Sequence, residues 1–182
     1  MITFETRENL LRFLGENLII AEIGVFKGEF SKFIFNNLKP KKLFLVDIFE
    51  GYVGSGDKDG NNMEFTNLET EYELLNSYFK QDKNVHIIKE NSQNFISSLD
   101  DGYLDLIYID GDHDYNGVKN DLNLSYNKIK NGGYICGHDY VSPRFDGVVN
   151  AVNEFCLEKG LKIDYITKDG CPTYCVKKLH EK

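Results

Sequence analysis

The chain has 182 residues with 41% hydrophobic and 27% charged residues, which is ordinary for a soluble globular protein with a real core. The net charge is −8 and the only arginines are Arg7, Arg12 and Arg144, which argues against nucleic acid as a partner, because phosphate backbones need Lys/Arg patches. No apolar run approaches the roughly 18 residues of a membrane helix, and the polar N-terminus does not resemble a signal peptide, so we expect a cytoplasmic protein without a membrane partner.

The cysteines and the overall composition give no sign of secretion or of a second domain. Cys136, Cys156, Cys171 and Cys175 are predicted to be reduced thiols. Cys171 and Cys175 have the spacing of half a metal site, but no second Cys/His pair completes it. No repeat, low-complexity tract or linker divides the sequence, so a single domain over residues 1–182 is predicted.

Short apolar runs alternate along the chain with longer stretches of helical spacing. The first stretch, Phe4–Gly15, predicts an amphipathic N-terminal helix within residues 1–16. The predicted strands, in chain order, are Leu18–Ile23, Leu43–Ile48, Val85–Lys89, Leu104–Asp110, Tyr134–Gly137, Lys162–Thr167 and Thr173–Lys177. The predicted helices between them are Glu29–Asn37, Glu64–Phe79, Ser92–Leu99, Tyr115–Ile129 and Gly147–Lys159.

This alternation predicts an α/β fold with a Rossmann-like, seven-stranded, mostly parallel sheet and helices on both faces. Only a few residues, Lys168 to Pro172, join the last two strands, so the last strand is predicted to run antiparallel. Open parallel sheets bind ligands outside the carboxyl ends of their strands, where the strand order reverses. The residues that follow each strand are therefore candidates for a binding site.

The first two strands end in a glycine turn and in an acid. The stretch "AEIGVFKGEFS" places Glu22, Gly24 and Gly28 between a strand and a helix, where glycine permits a tight turn and a close approach of the backbone to a ligand. A purely structural turn is the alternative interpretation. Asp47 ends the second strand, where an acid is placed to accept hydrogen bonds from ribose hydroxyls. Alternatively, Asp47 caps the following turn.

The third strand is followed by Asn91 and Ser92, which are candidates for contact with an adenine edge. A helix begins at the same place, so Ser92 is also a candidate for its N-terminal cap. Either role, or both together, is compatible with these residue types.

The fourth and fifth strands end in acids and imidazoles. The stretch "LIYIDGDHDY" ends a buried run at Asp110 and continues through His113, and "GGYICGHDY" ends at His138 and Asp139. If the two strands are neighbours, Asp110 and Asp139 face one small volume, and a divalent cation such as Mg²⁺ would relieve their repulsion. In the alternative interpretation, Asp112 and Asp114 are solvated caps of the next helix.

A polar, glycine-rich segment directly follows Asp47. Residues 50–65, "EGYVGSGDKDGNNMEF", are predicted to form a lid or substrate loop. Together with Phe4–Gly15 and residues 139–147, this segment is expected to form the acceptor pocket. Arg144 lies in the last of these stretches and is suited to an anionic group of the acceptor.

These motifs together resemble class I S-adenosylmethionine-dependent methyltransferases over about residues 17 to 178. "AEIGVFKG" is similar to their first motif, Asp47 to their ribose-binding acid, and the two acidic segments to their fourth and fifth strands. "VDIFEG" followed by "IDGDHDY" resembles the branch of macrocin-type O-methyltransferases, which act on small molecules. The resemblance implies methyl transfer to a small-molecule acceptor, with a hydroxyl oxygen as the preferred target.

The resemblance also implies roles for individual residues. Glu22, Gly24, Phe26 and Gly28 would form the turn that holds the methionine part of the cofactor. Asp47 would bind the ribose, Asn91 and Ser92 would lie near the adenine, and Asp110 would stand beside the methyl-transfer site. The chain has His138-Asp139 where catechol-type enzymes have Asp-Asn at a metal site.

Two ways of removing the acceptor proton remain open. In one, a divalent cation bound by Asp110, His138 and Asp139 lowers the pKa of a coordinated hydroxyl. In the other, His113 or His138 acts as the general base, with Asp110 beside the reacting atoms.

Three other functions share parts of the pattern. An NAD-dependent oxidoreductase would share the glycine turn and the acid, but the third glycine is missing. A metal-dependent hydrolase would leave Gly24 and Asp47 unexplained. A non-catalytic cofactor-binding or assembly protein would keep the pocket without turnover. Whether the chain forms a homo-oligomer is also left open.

Overall fold

The computed structural model describes residues 1–53, 64–141 and 143–179. Its strands are β1 (Ile2–Phe4), β2 (Ile19–Ile23), β3 (Lys42–Asp47), β4 (Glu50–Val53), β5 (Glu64–Asn67), β6 (Val85–Lys89), β7 (Leu104–Ile109), β8 (Ile129–Gly137), β9 (Ile163–Thr167) and β10 (Tyr174–Lys177). Its helices are α1 (Arg7–Leu14), α2 (Glu29–Leu38), α3 (Glu69–Tyr78), α4 (Ser92–Ser98), α5 (Tyr115–Lys128) and α6 (Asp146–Lys159).

Eight strands form one sheet in the order β1-β9-β10-β8-β7-β2-β3-β6. Strands β8, β7, β2, β3 and β6 pair in parallel, whereas β10 runs antiparallel to both β8 and β9. The α/β class, the mostly parallel sheet and the antiparallel last strand are thereby confirmed. The count is one strand higher than predicted because β1 joins the edge, in parallel with β9. A three-residue strand is too short to produce a periodic signal.

The buried side chains fall into two layers, one on each face of the sheet. From β7, Leu106 and Tyr108 pack with side chains of α1, α2 and α3, whereas Ile107 and Ile109 pack with α4, α5 and α6. Successive strand residues point to opposite faces, so an uninterrupted apolar run can serve both layers. This arrangement confirms the prediction of helices on both faces.

Two predicted elements begin at clearly different residues in the structure. The predicted helix over Glu64–Phe79 is wrong in its first turn, because the backbone of Glu64–Asn67 pairs with β4 as an antiparallel strand and the helix begins at Glu69. The fifth predicted strand begins earlier, at Ile129, and Asn131 to Gly133 belong to it. Residues 54–63 of the predicted lid lie outside the described residues.

None of the helices in the described ranges is long and apolar enough to cross a membrane.

The strand order reverses at β2, which lies between β3 on one side and β7 on the other. Backbone hydrogen bonds continue past the strand ends: the Asp110 N–H donates to the Ile23 carbonyl at 2.8 Å, and the His138 N–H to the Ile109 carbonyl at 3.1 Å. The residues that follow β2, β7 and β8 are therefore held side by side at one edge of the sheet. Ligands of open α/β sheets bind at such an edge.

Candidate functional site

A cleft of about 940 Å³ opens at the carboxyl ends of β2, β3, β6 and β7. All the residues predicted to bind the cofactor line it: Glu22, Gly24, Phe26, Gly28, Asp47, Asn91, Ser92 and Asp110. Arg7, His113 and Asp121 line it as well. The cleft has the size expected of a small-molecule or cofactor site.

The glycine turn after β2 is shaped by a close approach of two strands. Gly24 has a φ of +86°, and a Cβ atom there would lie 2.0 Å from the backbone oxygen of Asp110. Phe26 also has a positive φ, of 52°, and its backbone N–H turns toward β3. The turn therefore follows the floor of the cleft closely, which only glycine allows at position 24.

Asp47 holds two backbone segments at the end of β3. One carboxylate oxygen accepts a hydrogen bond from the Phe26 N–H at 2.8 Å, and the other accepts one from the Phe49 N–H at 2.7 Å. Asp47 therefore does form the turn contact of the alternative interpretation, and it also faces the cleft. A carboxylate offers about four acceptor sites, so two remain for a ligand.

Glu22 is a buried acid at the floor of the cleft. The residue is 1% exposed, and one of its carboxyl oxygens has no hydrogen-bond partner among the described residues. Burial raises the pKa of Glu22 to about 8, and the charge of Asp110 acts in the same direction. An unpaired polar atom in such a place is costly unless a ligand pairs with it.

Glu22 is expected to make the stability of the ligand-free protein depend on pH. Its pKa rises from an ordinary 4.5 to about 8, so between these values the folded state keeps a proton that the unfolded state has lost. The free energy of unfolding should therefore fall as the pH rises through this window, by up to about 1.4 kcal/mol per pH unit. Urea denaturation of wild type and Glu22→Gln from pH 5 to 9 measures the effect.

Other groups contribute to the same pH dependence, so the Glu22 effect is read as a difference between the two proteins. The hydrogen bond to Asp139 raises the pKa of His113. Loss of the His113 proton therefore also lowers the free energy of unfolding as the pH rises. This contribution of His113 should be equal in wild type and in Glu22→Gln. Identical slopes in the two proteins would contradict the assignment of a buried, protonated Glu22.

Two polar residues after β6 lie at the far end of the cleft. The Asn91 side chain accepts hydrogen bonds from the backbone N–H groups of Gln93 and Asn94, so Asn91 caps α4. The prediction that Ser92 is the cap is wrong: its hydroxyl donates to Asp121 at 2.9 Å. Burial raises the pKa of this Asp121 carboxyl to about 6. A ligand at this end meets the Asn91 amide, the Ser92 hydroxyl and a buried acid.

The ends of β7 and β8 bring two acids and two imidazoles together. His113 Nε2 lies 2.9 Å from Asp139 Oδ2, and His138 Nδ1 lies 3.4 Å from the same oxygen. His138 Nδ1 is also 3.7 Å from Asp110 Oδ1. The predicted proximity of Asp110 and Asp139 therefore agrees with the pairing of β7 with β8.

The charges in this group are unequal. Burial raises the pKa of Asp110 to about 6, although His138 acts in the opposite direction. Burial also acts to raise the pKa of Asp139, but hydrogen bonds from His113 and His138 outweigh it and hold this pKa well below its usual range. Asp139 is thus the ionised partner that favours a protonated His113.

One group in the described ranges has the composition and spacing of a cation site. Its ligand atoms, from Asp110, His113 and Asp139, lie within 4.8 Å of one another. His113 therefore occupies the place that the sequence pattern gives to His138. The neighbouring Asp112 and Asp114 are exposed, and Asp114 stands at the N-cap position of α5 without a side-chain cap bond.

Two residues of the cleft carry no motif in the sequence. Arg7 reaches it from the first turn of α1, whereas Arg144, the predicted anion-binding arginine, is exposed and does not line it. No local pattern marks Arg7, because α1 meets the cleft only through tertiary packing. For Asp121 the helical spacing is informative, because it places this acid with Val118, Leu122 and Ser125 on the buried side of α5. An acid on the buried side of a helix indicates a special role.

Comparisons with known proteins agree with this geometry. A family model described as "Methyltransferase domain" matches residues 21–140. An uncharacterized protein of Acanthamoeba polyphaga mimivirus is 32% identical over 157 residues, which cover 85% of this chain and 67% of that protein.

Solved structures with the same fold cover almost the whole chain. A candidate methyltransferase from Streptococcus mutans, in complex with S-adenosylhomocysteine (SAH), matches with a TM-score of 0.67 and 12% identity over 97% of this chain and 99% of that chain. A candidate rRNA methylase from Clostridium thermocellum matches with a TM-score of 0.67 and 13% identity over 96% and 94% of the two chains. At such low identities the likeness concerns the fold.

Proposed function

Because this chain belongs to the methyltransferase domain family, we propose that it transfers a methyl group from S-adenosylmethionine to a hydroxyl oxygen of a small molecule. One observation carries the proposal: a single cleft joins the unpaired Glu22 carboxyl, the Asp47 carboxylate and the polar end of α4. These groups match, in this order, the ammonium, the ribose and the base of the cofactor. A metal-dependent hydrolase would use only the acid and imidazole group and would leave this alignment unexplained.

The residues present suit each part of the cofactor. Glu22 supplies an acceptor for the ammonium, and the two remaining acceptor sites of Asp47 suit the ribose hydroxyls. Asn91 and Ser92 offer polar groups to the adenine edge, with Asp121 fixing the Ser92 hydroxyl. When bound, the cofactor supplies an activated methyl group. The protein's task is then to hold the acceptor oxygen in line and to take its proton.

His113 is the residue that we assign as the general base. When the ring is neutral, its Nε2–H group donates to Asp139 at 2.9 Å, which orients the ring and leaves Nδ1 to accept a proton. The ring is also packed against Phe145, with 4.9 Å between ring centroids. Asp110, which lines the same cleft, stands beside the reacting atoms.

A divalent cation is the alternative to the imidazole base. Asp110, His113 and Asp139 would hold it, and the cation would lower the pKa of a coordinated hydroxyl. The Nε2–H group of His113 already gives the Asp139 carboxylate a hydrogen-bond donor without a cation. The base assignment therefore has the stronger support from the geometry.

Composition favours a small acceptor over nucleic acid. The net charge of −8 and the presence of only three arginines do not suit a phosphate backbone. The likeness to a candidate rRNA methylase, at 13% identity, concerns the fold alone. The four cysteines are free thiols, which is compatible with a reducing, cytoplasmic setting.

Calorimetric titration with SAH, with and without Mg²⁺, tests the cofactor and the cation together. We expect a dissociation constant in the micromolar range that Mg²⁺ does not change. A heat that depends on Mg²⁺ and disappears in Asp139→Asn would favour the cation instead of the base. Absence of SAH binding to wild type in every condition would contradict the methyltransferase proposal.

Methyl transfer itself is tested with isotope-labelled S-adenosylmethionine and a panel of hydroxylated small molecules, with short RNA as a comparison. Label is expected in a small molecule, and His113→Gln is expected to lower the rate by about 100- to 10,000-fold. Transfer to RNA alone would contradict the acceptor class. Tight SAH binding without transfer to any acceptor would favour the non-catalytic alternative.

A further inference from the structure

Arg7 brings a positive charge into the cleft from the first turn of α1. Its guanidinium lies over the Phe30 ring, with 4.0 Å between the guanidinium carbon and the ring centroid, and it lines the cleft together with Glu22 and Asp110. About a quarter of the side chain is exposed. A guanidinium stacked on one face in this way keeps its planar fork of N–H donors available at the edge.

Among the described residues, the contacts of Arg7 leave some of its N–H donors free. Its contacts with Asp110 and Glu8 are 3.4 Å and 3.6 Å, both longer than the 2.7–2.9 Å typical of charge-assisted hydrogen bonds. The guanidinium also has a side-chain hydrogen bond with the Tyr108 hydroxyl, which is itself hydrogen-bonded to Thr173 at 2.8 Å. Five N–H donors exceed what these contacts satisfy.

The backbone of Arg7 is fixed, so the position of its side chain is built into the fold. The Arg7 N–H donates to Asp169 Oδ2 at 3.2 Å, and Asp169 is in turn hydrogen-bonded to Thr167. The Thr6 side chain caps the same turn by accepting from the Asn9 N–H. The guanidinium is thus held at the cleft from a helix that otherwise packs on the sheet.

A buried acid and an arginine meet at this end of the cleft. Glu22 has an unpaired carboxyl oxygen, and Arg7 is near enough for its charge to act on Glu22. Asp47 and Ser92 lie toward β3 and β6, whereas Glu22 and Arg7 lie toward β2 and β7. A nucleoside held by Asp47 and Ser92 therefore points its substituent at an acid and an arginine.

We propose that Arg7 is the carboxylate-binding residue of a subsite for an α-amino acid group, in which Glu22 receives the ammonium. The inference rests on the proposed methyltransferase function and adds a residue to its cofactor site. The carboxylate comes from the amino acid end of the cofactor, because this end of the cleft continues directly from the nucleoside end. An amino acid acceptor would offer the same chemistry, and the experiment separates the two sources.

The test compares ligands that differ only in the group that Arg7 would bind. Calorimetry is carried out with SAH and with its decarboxylated analogue, S-adenosyl-3-thiopropylamine, on wild type, Arg7→Met and Arg7→Lys. Wild type should bind SAH about 10- to 100-fold more tightly than the analogue. Arg7→Met should abolish this difference by weakening SAH alone, and Arg7→Lys, which keeps the charge but loses the fork, should retain part of it.

Arg12→Met is the matched control, because Arg12 belongs to the same helix but is exposed and donates to Asn37 at 3.0 Å. It should bind both ligands as wild type does. Equal weakening of SAH and the analogue by Arg7→Met would overturn the inference, since it would indicate a general structural role. An SAH affinity that Arg7→Met leaves unchanged would overturn the inference, because Arg7 would then not bind the carboxylate of the cofactor. Failure of wild type to bind either ligand would instead contradict the methyltransferase proposal.

Discussion

Replacing Asp47 with alanine is expected to weaken SAH binding by at least about 100-fold. The substitution removes two acceptor sites for the ribose hydroxyls, and hydrogen bonds to a charged group contribute roughly 1.5–3 kcal/mol each. It also releases the backbone N–H groups of Phe26 and Phe49, which the carboxylate holds at 2.8 Å and 2.7 Å. The glycine turn would then lose its anchor to β3, so both the ligand contact and the shape of the cleft are affected. Calorimetric titration measures the change.

Asp105→Ala is the matched control for Asp47→Ala. Asp105 also joins two segments with its carboxylate, since it accepts from the Ile19 N–H at 2.8 Å and pairs with Lys130 at 2.7 Å. However, it stands at the amino end of β7, away from the cleft. Asp105→Ala should lower stability and leave SAH affinity unchanged. Equal loss of affinity in both variants, or none in Asp47→Ala, would refute the ribose role.

Gly24→Ala is expected to lower the free energy of unfolding by more than about 3 kcal/mol and to abolish SAH binding. An added Cβ would lie 2.0 Å from the Asp110 backbone oxygen and 2.4 Å from its carbonyl carbon, so β2 and β7 would have to separate at their ends. Backbone cannot move aside as a flexible side chain can. In addition, the φ of +86° is unfavourable for alanine by about 1–2 kcal/mol. Urea denaturation and SAH titration measure the two losses.

Gly102→Ala separates the clash at Gly24 from the backbone strain. Gly102 has a φ of +64°, and an added Cβ there meets no atom within 4 Å. This variant should therefore show only the conformational cost and should bind SAH as wild type does. If Gly24→Ala were no less stable than Gly102→Ala, the close approach of β2 and β7 would not be the constraint that we infer.

The sequence was sufficient for those parts of the site that follow directly from strand ends. Glu22, Asp47 and Asp110 each stand at the end of an apolar run, and parallel strands place such ends at a common edge. The proximity of Asp110 and Asp139 required only that two strands be neighbours. These predictions needed the order of elements and no detailed coordinates.

Other features depended on contacts that no local pattern encodes. Arg7 reaches the cleft because α1 is anchored to Asp169, which lies 162 positions away in the chain. The partner of Asp139 was equally hidden, because the turn after β7 decides whether His113 or His138 lies closer. Ser92 suits the cap position by residue type, but Asn91 suits it as well. The structure has Asn91 as the cap, and the Ser92 hydroxyl is bonded to the buried Asp121 instead.

The position of β10 in the interior of the sheet has a consequence for folding during synthesis. β10 fills the gap between β8 and β9, and β9 in turn supports β1 and the acid that anchors α1. The ribosome makes β10 after every other strand of this sheet, and the long-range pairing of β1 with β9 forms late. Once β2 to β8 have emerged from the ribosome, the nucleoside end of the cleft can form. The side of the cleft that carries Arg7 depends on β9 and β10, so it can form only after both strands have emerged from the ribosome.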